Sequence, residues 1–218
     1  MSENLLAVDT SSRVLSVAIQ SAEGNIFEAN LQGTPRHSEQ LIHLIEEGLN
    51  CTGIKKKDLK SFIWGLGPGS FTGLRIGLSV LKGLHLGLKK ESWGASSLDL
   101  IALGVPVVSG DIAVCVDARR QTIYFALYRY EQGKLKKILR EEVISFDELM
   151  KRLTPGTIIT GDALQTYGAK IKEQTNEMTF LAPVFWYPRA LFAIHLFDSQ
   201  KTWLEKLSLK KMQPKYIR

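Results

Sequence analysis

Short apolar runs separated by polar turns fill the first third of the chain. Leu5–Asp9 and Val14–Gln20 each read as a buried strand, and the polar turn Thr10-Ser11-Ser12-Arg13 between them predicts a hairpin. Ile26–Gln32 reads as a third strand after the turn Glu23-Gly24-Asn25. Thr34-Pro35 is a helix start, since proline is tolerated at the first helical position. Leu41, Ile42, Leu44, Ile45 and Leu49 then keep helical spacing to about Asn50. Phe62-Ile63-Trp64 has strand character and runs into a glycine-rich turn, Gly65, Gly67, Pro68 and Gly69. A long helix over Thr72–Lys89, a short strand at Ser92–Ala95 and a short helix at Ser97–Leu103 complete this half.

The second half repeats the order. AVDTSSRVLSVAI (7–19) aligns without gaps on CVDARRQTIYFAL (115–127), which puts Asp9 on Asp117 and Ala18 on Ala126. Leu135–Ile144 then matches the third strand, Phe146–Leu153 the first helix, Thr157–Asp162 the next strand and Gln165–Glu173 its helix. Thr179–Ala182 is a last short strand and Arg189–Leu207 a long final helix. Two β-β-β-α-β-α units imply a duplicated domain. The expected class is α/β and similar to the actin-like ATPase superfamily (a duplicated ribonuclease H-like, or ASKHA, fold). Each lobe would hold a mixed sheet flanked by helices. The expected lobes are 1–104 plus 189–218, with the final helix crossing back to the first lobe, and 105–188.

The stretch Ser61–Lys89 has the strand, glycine turn, helix order that can present backbone N–H groups to an anion. Its spacing fits neither standard phosphate loop. No Gly-Lys-Ser/Thr is present for a Walker A loop, and Ser70 and Thr72 stand where G-x-G-x-x-G needs its third glycine. Within the helix, Gly73 and Gly77 are four apart, as are Gly83 and Gly87. Each costs about 1 kcal/mol against alanine, a cost usually offset by a close backbone approach. Arg75, Ser79, Lys82, His85 and Lys89 make only a narrow polar stripe, so one side of this helix needs a second helix or a second protein.

Composition narrows the setting. The 218 residues are 44% hydrophobic, enough for one large domain or two small ones. No run of 18 apolar residues predicts a membrane span, and no charged segment precedes the first apolar run as in a cleaved signal. Cys51 and Cys115 lack C-x-x-C spacing, which fits a reducing cytoplasm. The net charge is +6 and the pI about 9.3. Residues 201–218 hold six cations against Glu205, a net of +5, which reads either as a nucleic-acid contact or as the solvated face of a terminal helix.

Candidate chemistry centres on the two hairpin turns. Asp9 and Asp117 each close a strand where a loop can present a carboxylate to metal and phosphate. Ser11 and Ser12 follow the first, Arg119 and Arg120 the second. A superfamily phosphate clamp wants small residues in that second turn, which the two arginines are not. The competing reading is that both aspartates only cap their turns. The functional alternative is a stand-alone ATPase or small-molecule kinase working between the lobes. His37, His43, His85 and His195 form neither H-x-x-x-H nor H-E-x-x-H, so no helical two-histidine metal site is encoded. Ser70 lies outside any G-x-S-x-G and reads as a helix N-cap.

Four segments together carry a family resemblance: Leu5-Leu6-Ala7-Val8-Asp9-Thr10-Ser11, Arg36-His37-Ser38-Glu39, GPGSFTGLRIG (67–77) and Asp117-Ala118-Arg119-Arg120. With the closing Gln213-Pro214-Lys215-Tyr216-Ile217-Arg218, they resemble the TsaB (YeaZ) family over nearly the whole chain. The resemblance implies a non-catalytic subunit in the cytoplasm. Such a subunit pairs with a TsaD-like catalytic subunit, with a TsaE-like ATPase, for threonylcarbamoyl transfer to N6 of the tRNA adenosine next to the anticodon. It implies tRNA contact through the complex, a homodimer in isolation, and no membrane. It implies no metal and no cofactor on this chain, with ATP or ADP only at the interface of the complex. Pairing through two helices of the first lobe implies an interface at His37, Leu41, Ile45, Gly73, Leu74, Gly77 and Leu81. Asp9, Ser11, Ser12, Asp117, Arg119 and Arg120 would be vestiges of a phosphate cleft.

Overall fold

The computed structural model describes residues 3–33, 37–215 and 217, without the side chains of His37 and Ser38. The helix start at Thr34-Pro35, Arg36, the interface contact assigned to His37, and Tyr216 and Arg218 of the closing motif lie outside what is described. The chain divides into two units, one up to Leu100 together with Pro188–Lys215, the other centred on Ile101–Tyr187.

Unit 1 begins with the predicted hairpin. β1 (Leu5–Asp9) pairs antiparallel with β2 (Val14–Gln20), and β2 with β3 (Ile26–Gln32). After α1 (His37–Thr52) comes β4 (Ser61–Gly65), parallel to β1, then α2 (Phe71–Leu88) and β5 (Glu91–Ala95), parallel to β4. Alternation sends Leu6, Val8, Leu15 and Val17 to one face, where they form a core with Leu41, Leu44, Ile45, Leu49, Leu78 and Leu81 of the two helices. Ser16, between Leu15 and Val17, faces the other way. Its hydroxyl accepts the Ala190 N–H at 2.7 Å and donates to Asn30 Oδ1 at 2.7 Å, which seats a later helix on the second face.

In unit 2 the same order recurs after α3 (Ser97–Leu103). β6 (Asp111–Arg119), β7 (Thr122–Glu131) and β8 (Lys134–Ser145) pair antiparallel in sequence. α4 (Phe146–Arg152) starts with a capping box: Ser145 accepts the Glu148 N–H, and Glu148 accepts the Ser145 N–H. β9 (Ile158–Thr160) lies parallel to β6, followed by α5 (Leu164–Gln174) and β10 (Thr179–Phe180). The sheet order is β10-β9-β6-β7-β8, matching β5-β4-β1-β2-β3 in unit 1. Two mixed sheets flanked by helices, each on the ribonuclease H-like strand order, give the duplicated actin-like plan expected from the repeat.

The expected long final helix is corrected. α6 (Ala190–Ser199) stops where Gln200 leaves helical geometry at φ −142°. A 3-10 turn at Lys201–Trp203 follows, then β11 (Glu205–Lys206), which adds antiparallel to β5 at the sheet edge. Leu204, Leu207 and Met212 are buried, so the apolar residues of this segment cover the sheet edge instead of a helix face. The tail is therefore not the solvated helix face considered above. Lys206 pairs with Glu91 and Lys211 with Glu205.

Candidate functional site

The glycine stretch and the β1–β2 turn occupy each other. Asp9 ends β1 fully buried. Its Oδ1 accepts the Ser11 N–H at 2.8 Å and the Ser11 hydroxyl at 2.7 Å, and its Oδ2 accepts the Ser97 hydroxyl at 2.7 Å. Burial pushes the carboxyl above its ordinary value of 3.8, against the opposing pull of Ser97 and Ser11. Ser12 stays local, its hydroxyl exchanging hydrogen bonds with Val14 N–H and C=O.

Four glycines make room for this turn. A Cβ on Gly65 would lie 1.9 Å from Asp9 Oδ2, one on Gly69 2.2 Å from the Ser11 carbonyl, one on Gly73 2.1 Å from the Thr10 carbonyl, and one on Gly77 2.3 Å from Thr10 Oγ1. The Ser70 N–H donates to the Ser11 carbonyl, and the Ser70 side chain caps α2 by accepting the Gly73 N–H, as its position predicts. Thr10 and Ser11 thus pack directly against the glycine loop and the first turn of α2. The expectation that a loop presents Asp9 to solution is corrected by this burial.

The same distances correct the interface assignment. Gly73 and Gly77 bring α2 against Thr10 of the same unit, not against a partner. Leu41, Ile45, Leu74 and Leu81 are between 0 and 5% exposed and belong to the interior of unit 1. Gly83 and Gly87 behave differently, for a Cβ on either meets nothing within 4 Å. They lie on the outer face of α2 with Leu86, 60% exposed, and Ile42 on the adjacent α1 is 52% exposed. Phe71 starts the exposed face, 50% exposed, with the Arg75 guanidinium 3.7 Å above its ring. Helical phase could have separated the pairs. Ten residues from Gly73 to Gly83 is 1,000°, about 80° short of three turns, so the second pair looks elsewhere.

In unit 2, Asp117 caps its own turn, with Oδ1 accepting the Arg119 N–H at 2.8 Å. Its N–H donates to Asp162 Oδ1 at 3.0 Å. Arg119, Arg120 and Gln121 all take left-handed backbone, φ 67°, 49° and 64°, where glycine would be easier. Arg119 is exposed and stands 3.7 Å from Asp117 Oδ2. A depression of about 350 Å³ beside this turn is lined by Gln121, Ser145, Phe146, Asp147, Tyr167 and Lys170. Among the described residues no three His, Cys, Asp or Glu side chains are grouped to hold a metal, and no helix is long and apolar enough to cross a membrane.

Residues 32–210 match the family model of TsaD, tRNA N6-adenosine threonylcarbamoyltransferase. The tRNA threonylcarbamoyladenosine biosynthesis protein TsaB of Escherichia coli K12 is 29% identical over 172 residues, 75% of this chain and 73% of that protein. The TsaB protein of Haemophilus influenzae is 26% identical over 98% of this chain and 93% of its own length. This chain belongs to the TsaB/YeaZ family. A Pseudomonas aeruginosa protein described as similar to peptidase YeaZ superposes over 100% of both chains, with a TM-score of 0.82 at 23% identity, and so shares the fold. The peptidase wording belongs to that protein. Here the Ser70 hydroxyl caps a helix and Cys115 is buried, its thiol pushed up to about 12.

Proposed function

We propose that this chain is a non-catalytic partner subunit in tRNA threonylcarbamoyladenosine biosynthesis. It pairs with a TsaD-like transferase through the outer face of α1 and α2, works in the cytoplasm with a TsaE-like ATPase, and meets tRNA within that complex. The observation that carries the reading is the filled glycine loop. The stretch that would cradle a phosphate holds the chain's own Thr10 and Ser11, and Asp9 is closed off beneath it. The opposite face of the same helix is exposed and carries Gly83, Leu86 and Gly87 beside Ser79 and Lys82. Glycine there lets a second helix backbone approach closely, and the TsaD match supports a related fold as the occupant.

Size-exclusion chromatography with and without a TsaD-like transferase tests this, with tRNA modification and nucleotide turnover as companion readouts. The expected result is one heterodimer peak, modification only when both proteins are present, and no turnover by this chain alone. Saturable ATP binding abolished by Asp9→Ala, in a variant that keeps its fold, would favour the stand-alone ATPase instead. Nucleotide bound only after pairing fits the proposal, since the site then belongs to the joint surface.

A further inference from the structure

A lysine-rich rim lies at the end of unit 1's parallel strands opposite to Asp9. Register sets Leu5 beside Ser61 and Ser61 beside Glu91, so the residues just before these strands, Asn4, Lys60 and Lys90, follow one another along the sheet. Neighbouring strands stand about 4.8 Å apart. Asn4 organises the rim. Its Nδ2 donates to the Asp58 carbonyl at 3.1 Å, its Oδ1 accepts the Ala22 N–H at 2.7 Å, and its carbonyl accepts the Lys60 N–H at 2.8 Å. These bonds hold the 3-10 turn Lys56–Asp58 over the start of β1, which brings Lys55 and Lys57 to the same end. α2 also finishes here, with Lys89 in a left-handed C-cap at φ 51° and His85 Nδ1 3.0 Å from the Lys90 carbonyl. On the far side the Leu207 N–H bonds the Ser92 carbonyl, which sets the turn carrying Lys210 next to the start of β5.

The rim is short of counter-charge. Glu46 is taken by Lys56 at 2.8 Å and Glu91 by Lys206. Among the described residues Lys55, Lys57, Lys60, Lys89, Lys90 and Lys210 have no carboxylate partner; besides Glu91, the acids beside the row are Glu3, Asp58 and Glu23, next to the Ala22 that Asn4 binds. Lysines on flexible stems at strand spacing suit successive phosphates, because each contact releases condensed counterions. We propose that the lysine rim at the N-terminal ends of β1, β4 and β5 is a contact surface for the phosphate backbone of a folded RNA. This rests on the reading above that the chain works in tRNA modification. It places the contact on the strand rim, away from the docking face of α2.

The test is an anisotropy titration of an unmodified tRNA transcript with the full chain, between about 50 and 250 mM salt, where counterion release makes the affinity steeply salt-dependent. Two rim variants, Lys60→Glu/Lys90→Glu and Lys57→Glu/Lys60→Glu, are compared with a control of equal charge change on β8, Lys134→Glu/Lys136→Glu. Unchanged melting temperatures guard against misfolding. The expected result is a loss of at least about tenfold in affinity for both rim variants and a salt slope flatter by about two, since each phosphate contact contributes roughly 0.7–0.9. The control stays within about twofold of wild type on the same scale. Wild-type affinity in the rim variants, equal weakening by the control, no wild-type binding at the lowest salt, or tighter binding to phosphatidylserine vesicles than to tRNA each overturns the proposal. Pairing with a TsaD-like transferase, measured on the same variants, separates the two claims. Wild-type tRNA affinity in the rim variants with intact pairing sinks the rim alone, and failed wild-type pairing with intact RNA binding sinks the subunit reading alone.

Discussion

Asp9 faces Gly65, and the two explain each other. A carboxylate removed from water destabilises the folded state unless donors hold it, and Ser11 and Ser97 supply three hydrogen bonds. Its folded pKa is raised, so between the ordinary 3.8 and the folded value the native state binds more protons than the unfolded chain. Asp9's contribution to stability is therefore largest below 3.8 and falls as pH rises through the folded pKa. Asp9→Asn keeps the shape and an acceptor for Ser11 while removing this decline. Urea unfolding should show its stability relative to wild type improving from about pH 4 upward, and parallel curves would contradict a sealed carboxylate. Asp9→Ala instead leaves the Ser11 and Ser97 hydroxyls unpaired and should lose about 1–3 kcal/mol. The cysteines offer a check in unit 2: Cys51 is exposed and Cys115 is buried with its thiol pushed up to about 12. In the native protein a thiol reagent should modify Cys51 quickly and Cys115 only on unfolding. Equal rates would mean that the β6 face is open.

At the scale of elements, strand bounds in the first hairpin were readable because each strand is a complete apolar run closed by a polar turn. The duplication was readable because Asp9 and Asp117 hold the same place at the end of paired strands. The direction of the glycines was not readable. Spacing of four tells which glycines share a face, but not which face the sheet takes. Gly73 and Gly77 turned out to lie over Thr10, and Gly83 and Gly87 to face outward. Leucine at Gly77 should therefore fail within the chain, by collision with Thr10 Oγ1 and Trp64 Nε1, and lower the melting temperature sharply. Leucine at Gly83 or Gly87 meets open space, and should match or exceed wild-type stability by up to about 1 kcal/mol through helix propensity. Thermal unfolding of the three variants checks both. The tail misled for a different reason. A two-residue edge strand is too short to leave a period, and lysines spaced along it imitate a helix face. Met212, fully buried under the sheet edge, should cost about 2–5 kcal/mol when cut to alanine. A loss under about 0.5 kcal/mol, the size usual for surface positions, would mean that the tail is not packed.

At the scale of the molecule, each unit carries its own core, Leu6 to Met212 in the first and Ala113 to Ile171 in the second. The first unit has the filled glycine loop, the open helix face and the lysine rim. On the proposals above, these features give one lobe a closed interior around Asp9, a side for another protein and an end for RNA. The second unit keeps the strand order and the capping aspartate, but its turn is built from Arg119 and Arg120 in left-handed backbone, where the sequence repeat alone could not show the geometry. The central claim is that the outer face of α2 docks a TsaD-like transferase. It is tested most directly by sedimentation velocity of an equimolar mixture, with wild type set against Gly83→Leu/Gly87→Leu. The account predicts a heterodimer for wild type, and separate boundaries with at least about tenfold weaker pairing for the variant, at an undiminished melting temperature, since about 1.4 kcal/mol of lost contact corresponds to each factor of ten. A variant that pairs as tightly as wild type would contradict it.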